Sequence, residues 1–265
     1  MSYQRIKVLI WGKTYPELST KYVETVCTGG LREDGTPIRL YPVPLRYLAT
    51  GQQYQLYDWI EVPVEKSKSD PRPESFKVAS DKIVRVGHIG TERATWRSRR
   101  EHIFRNPSWH FASIADLKAV QSRDGRSMGL VAPGKVEDVK LIQRTDRERR
   151  EYDDQMEKVH EQQDAFRPEY KELEFVPYEV RLLWRCLGPC GECSRRPHDM
   201  KALDWGLLEL GRRDGWDKAR QKLADLSNLS THDFRLFMGN FRLHPQTFGI
   251  IGLWYPPKRG QLELL

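Results

Sequence analysis

Residues 5–41 read RIKVLIWGKTYPELSTKYVETVCTGGLREDGTPIRLY, and this stretch sets the architecture of the first half of the chain. Arg5 to Trp11 is an apolar run of strand length, and Tyr22 to Thr28 is a second one, rich in β-branched residues and ending at Gly29-Gly30. Glu33-Asp34-Gly35 then has the composition of a hairpin turn into Ile38-Arg39-Leu40-Tyr41, and Pro42 and Pro44 end that strand because proline cannot donate to a ladder. Further along, Tyr57 to Val64 and Ser75 to Val86 are two more strand candidates. The polar, proline-containing connector 65–73 joins them and is predicted to be exposed. Short strands separated by turns predict a small barrel or a strongly curved sheet.

The pattern then changes to mixed helix and strand. Helices are predicted over Thr91 to Phe104 and over Ile114 to Val120, the second capped by the Ser113 hydroxyl, with β character returning from Ser127 to Leu141. Residues 144–165 are almost entirely polar, a basic run giving way to an acidic one, as in a solvated helix or connector. Val176 to Trp184 and Gln246 to Tyr255 are strand candidates around two helices, Lys201 to Arg212 and Trp216 to Leu226, which break at Gly211 and Gly215. The expected fold is α+β: a β-rich, barrel-like domain with an Arg-rich helix over 1–145, a charged helical connector over 146–170, and a metal-stapled α/β domain over 171–265.

The metal expectation comes from residues 186–198, CLGPCGECSRRPH, which hold three of the four cysteines of the chain and a histidine. Cys186, Cys190, Cys193 and His198, separated by backbone-bending Gly188, Pro189 and Gly191, supply the four ligands that tetrahedral zinc prefers without a water. Such a closed site is structural and would hold Arg195 and Arg196 rigidly beside it. Those arginines either meet phosphates or balance the charge of bound thiolates. An iron-sulfur cluster with His198 or the distant Cys27 as fourth ligand is the rival reading. The C-x3-C-x2-C spacing resembles the cluster loop of radical S-adenosylmethionine enzymes, but over eight residues only. Those enzymes place the loop early in a long parallel barrel, whereas about 70 residues follow Cys193 here.

Composition bounds the function. Forty-four Lys and Arg against 37 Asp and Glu leave a formal charge of +7, with a sequence pI near 9.2, which favours polyanionic partners. Eight Trp, eleven Tyr and nine Phe supply a packed core despite a mean hydropathy of -0.69. The apolar run at the N-terminus is too short for a signal-peptide core, no stretch is long enough to span a bilayer, and the crowded cysteines suit a reducing compartment. A cytoplasmic protein with no membrane partner is therefore expected.

Two basic patches point to nucleic acid, without choosing DNA or RNA. Arg93, Trp96, Arg97 and Arg100 would share one face of a helix and combine guanidinium forks with an indole for stacking, and Lys66, Lys68 and Arg72 lie on the exposed connector. Two catalytic arrangements are also conceivable. One places Cys27 above a Gly29-Gly30 turn whose amides bind an oxyanion, with His88, His102, His110 or His160 as base. The other has Asn240, Arg242 and His244 lining a pocket with Asp204 or Asp233. Phosphate-loop, nucleophile-elbow and H-E-x-x-H patterns are absent. The leading expectation is an intracellular nucleic-acid-binding protein with a structural metal. The alternatives are an enzyme acting on nucleic acid or nucleotides, iron-sulfur dependent or not, and a module that docks a protein partner through 144–165.

Overall fold

A computed structural model describes residues 3–92, 95–161 and 171–258. Five strands close a barrel in the N-terminal part. They are β1 (Gln4–Lys13), β3 (Val23–Arg32), β4 (Pro37–Val43), β5 (Asp58–Lys66) and β6 (Ser75–Val78), with the short β2 (Glu17–Ser19) beside β3 and β7 (Val84–His88) beside β5. The order is β1-β3-β4-β6-β5, and pairing of β5 back onto β1 closes the ring; β4 and β6 run parallel and the other barrel pairs antiparallel.

Side-chain alternation builds two cores at once. Val8 and Ile10 of β1 point into the barrel with Val26, Ile38, Leu40, Ile60 and Val62. Leu9 and Trp11 point outward into a second cluster with Trp96, Trp109, Met128, Phe237 and Trp254, which joins the barrel to the rest of the molecule. Gly29 and Gly30 do not end the second strand as the sequence suggests. They lie inside β3, paired with Gly12 and Ile10, because a Cβ on Gly29 would sit 2.5 Å from the Trp11 ring. The Ser75 to Val86 candidate is likewise divided, by a 3-10 turn at Ser80–Lys82.

Beyond the barrel follow α1 (Arg97–Ile103), β8 (His110–Phe111), α2 (Ile114–Asp124), β9 (Met128–Val131), β10 (Pro133–Gln143) and α3 (Asp146–Glu161). The remaining elements are β11 (Tyr178–Cys186), α4 (Gly191–Arg195), β12 (His198–Lys201), α5 (Trp205–Asp214), α6 (Trp216–Leu226), β13 (Arg235–Phe241) and β14 (His244–Trp254). Two sheets result, β14-β13-β9-β8 and β10-β11-β12, sharing a core of Val180, Leu182, Trp184, Leu208, Leu223, Leu236, Met238 and Ile250. The strand just before the charged helix, β10, thus pairs with the strand just after it, β11. The Ser113 cap is present, its hydroxyl accepting from the Asp116 N–H at 3.1 Å. α3 is held as a solvated helix by Arg144–Glu148, Arg147–Glu151 and Arg149–Asp153 pairs one turn apart. No helix among the described residues is long and apolar enough to cross a membrane.

Candidate metal centre and basic cleft

Each member of the cysteine cluster is placed by a different local device. β11 delivers Cys186 as its last residue, Cys190 immediately precedes α4, Cys193 lies within it, and His198 opens β12 in register with Trp184. The four donor atoms lie within 4.8 Å of one another, and His198 Nε2 is 3.3 Å from Cys186 Sγ and 3.4 Å from Cys190 Sγ. Zinc at about 2.3 Å from sulfur and about 2.0 Å from nitrogen spaces tetrahedral ligands roughly 3.5–3.8 Å apart, so the group fits a four-coordinate ion with little movement. Cys27 is not in the group; it lies on β3 in the barrel wall, which removes it as the fourth ligand of a cluster.

The surroundings suit the ligands. Burial lowers the pKa of His198 below its ordinary value, which favours the neutral imidazole that a metal requires. On its far side, Nδ1 stands 3.8 Å from the Glu192 carboxylate, itself held by Lys118 Nζ of α2 at 2.8 and 3.0 Å, an electrostatic neighbour beyond hydrogen-bond distance. Burial pushes the Cys186 thiol up, and the Ile114 N–H donates to its sulfur at 3.4 Å. Burial also works to raise Cys190, but hydrogen bonds from the Cys193 backbone and side chain outweigh it and hold the thiol below its ordinary value. Arg195 and Arg196 are exposed beside the centre, while Arg185 is committed to Glu137 at 2.6 Å and to the Cys193 carbonyl.

A second feature lies where the barrel meets the β13–β14 hairpin. A cleft of about 900 Å³ is lined from the barrel by Cys27, Arg39 and Tyr41 and by the β5–β6 connector with Lys66, Lys68 and Arg72; the far side carries Asn240, Phe241 and Arg242. Lys21, Lys77, Glu17, Glu65 and Asp70 complete its charges, seven cations against three carboxylates, or +4. Two of the carboxylates are already engaged, Asp70 with Arg72 at 2.6 Å and Glu65 with Lys77 at 3.2 Å. Among the described residues, Glu17 is in no ion pair, and for Lys21, Arg39, Lys66, Lys68 and Arg242 no carboxylate lies within 4 Å.

The comparisons with known families divide the chain in two. A model described as a domain of unknown function, DUF8757, matches residues 110–265, and another described in the same words, DUF8758, matches residues 4–105. The chain belongs to the DUF8757 family. No curated relative matches it. The metal centre lies wholly within the DUF8757 region, whereas the cleft is lined from both matched regions.

Several expected site residues have other duties. Trp96 is not on a helix face: it precedes α1 in a left-handed conformation (φ 53°), is 5% exposed, and packs edge-on against Tyr57, Trp254 and Tyr255, so it offers no stacking surface. Arg97 is exposed and pairs with Glu101, and Arg100 reaches Asp233 at 2.7 Å; Arg93 lies outside the described residues. Lys66 Nζ donates to the carbonyls of Arg72 and Pro73, and Arg72 also donates to the Asn240 carbonyl, so both brace the cleft wall.

The first catalytic arrangement does not assemble, and of the second Asn240 and Arg242 line the cleft while His244, Asp204 and Asp233 do not. The amides at Gly29 and Gly30 belong to the barrel ladder instead of a free turn. Asn240 is buried, with Nδ2 donating to the Pro245 carbonyl at 2.9 Å; His244 is exposed and does not line the cleft. Asp204 caps α5 by accepting from the Leu207 N–H at 2.9 Å, and Asp233 pairs with Arg100 and Arg235. Sequence reading missed Arg39, Tyr41 and Phe241 as cleft residues, since nothing in the linear pattern brings β4 to β13.

Proposed function

We propose that the protein binds nucleic acid in the basic cleft and that a zinc ion at Cys186, Cys190, Cys193 and His198 acts as a structural staple for that surface. The observation that carries this reading is the charge of the cleft, in which cations contributed by the β2–β3 turn, β4, the β5–β6 hairpin and the β13–β14 turn converge while one carboxylate remains unpaired. A polyanion releases counterions on binding such a surface, which makes phosphate the natural ligand group. Three thiolates and an imidazole close a tetrahedron and favour zinc over a site with an open position. None of the four cysteines is in a disulfide, which fits a reducing, cytoplasmic setting. The staple and the cleft are linked through β12: the chain leaves it to pair Ala202 with Ile250 and to donate the Leu203 N–H to the Ile250 carbonyl at 2.7 Å, and Leu203 and Ile251 line the cleft floor.

Fluorescence anisotropy with labelled DNA and RNA 20-mers tests the reading. Lys68→Glu with Arg242→Glu reverses two exposed cleft charges and is expected to weaken binding at least tenfold while leaving the melting temperature unchanged. Equal affinity of variant and wild type would place any binding elsewhere.

A further inference from the structure

The cleft contains more than charge, and its contents select among nucleic acids. Resting on the reading above, we infer that it takes a single strand, with a phosphate seated against the guanidinium of Arg39 and bases stacked on Tyr41 and Phe241. Arg39 is 4% exposed, yet no carboxylate lies within 4 Å of it among the described residues. Its Nη1 donates to Cys27 Sγ at 3.1 Å and its Nη2 to the carbonyl and hydroxyl of Ser127 at 3.2 Å, while Nε has no partner. The Glu74 carboxylate reaches Arg39 only through Ser127, whose N–H and hydroxyl it accepts at 2.9 and 3.0 Å. A buried guanidinium costs several kcal/mol to desolvate and ordinarily sits on an anion. Here the side chain forms part of a cleft wall whose other cations repel it, and a ligand phosphate is the group that relieves both.

The rings supply the second half of the argument. Tyr41 is 43% exposed and Phe241 37%, and of the exposed large apolar side chains among the described residues these two line the cleft, from β4 and from the end of β13. Exposed rings in a basic groove are stacking platforms, worth about 1–3 kcal/mol per base. Bases in a duplex are already stacked on one another, so only an unpaired strand can present its faces to these rings. A cleft of about 900 Å³ accommodates a few nucleotides in that way but not a rigid double helix.

The test uses the full chain, a fluorescein-labelled 12-nucleotide mixed-sequence DNA, and the same strand annealed to its complement, at one salt concentration. The single strand is expected to bind at least tenfold more tightly than the duplex. Tyr41→Ala and Phe241→Ala should each cost between about 5- and 150-fold. Arg39→Lys, which keeps the charge and loses the fork, should weaken binding by about tenfold. Because Arg39 is buried, wild-type protein provides the independent readout: alkylation of Cys27, which lines the cleft half-exposed, should slow at least fivefold when the single strand is saturating. Equal duplex binding, unaffected ring variants, or an unprotected Cys27 would overturn the single-strand inference, while the basic-cleft reading stands if Lys68→Glu still weakens binding. No binding of either form would overturn both.

Discussion

Removing the metal should unfasten β12 before anything else, and the cost can be worked from Trp184. The indole is fully buried, and the His198 ring covers it at a centroid distance of 4.9 Å, with His198 held in place by the cysteine cluster. Without the metal, the short β12 keeps four paired positions on β11, too few to hold His198 over the ring by themselves. Uncovering one face of Trp184 exposes about half of the 150–250 Å² that such a side chain buries, a loss of about 2–3 kcal/mol at 25 cal/mol per Å². For a chain of this size, that lowers the melting temperature by about 4–12 °C. The assay is differential scanning fluorimetry of wild type with and without a chelator, alongside Cys190→Ser, with the tryptophan emission maximum as a second readout. Chelator and mutation should give the same shift and a red-shifted emission, and neither should add to the other. A melting temperature that moves by less than 2 °C in both cases would refute the staple.

Other expectations follow from single side chains. Trp96→Ala should destabilise the fold by about 3–5 kcal/mol through the cavity it leaves, with nucleic-acid affinity unchanged wherever the variant remains folded; thermal melts and anisotropy separate the two effects. Burial pushes the Asp204 carboxyl up to about 6 against an ordinary 3.8, with Lys13 partly opposing. A raised carboxyl contributes stability that is full below about pH 4 and lost as pH rises through about 6, so wild type should lose up to about 3 kcal/mol relative to Asp204→Asn across that window; urea titrations at pH 4 and 7 measure it. Asp70 carries the opposite sign: burial raises it, but Arg72 overcomes burial and holds it at about 2. Its contribution is present above pH 4 and lost as pH falls toward 2, and melts of Asp70→Asn should lack that acid-side loss.

Local patterns were readable in the sequence to the extent that local physics decides them. The apolar run in Arg5 to Trp11, the turn at Glu33-Asp34-Gly35 and the Ser113 cap depend on near neighbours, and the barrel and α2 follow from them. The cysteine cluster was readable because its ligands lie within thirteen residues. The helical face assigned to Trp96 was not, since burial among Tyr57, Trp254 and Tyr255 fixes that residue in a left-handed turn that helical spacing does not anticipate. Gly29 and Gly30 read locally as a turn, but tertiary packing of Trp11 requires them in mid-strand. The cleft depends on a contact between Arg72 and Asn240, 168 residues apart, so the two polar groups that line it appeared unrelated in the linear chain.

The cleft account is tested most directly by the salt dependence of single-strand binding. A plot of log affinity against log salt concentration should be linear with a slope of about -3, from roughly four neutralised phosphates at about 0.7 each, and the slope should become shallower in Lys68→Glu. A slope near zero, or one that the variant leaves unchanged, would contradict the assignment of the basic cleft to nucleic acid.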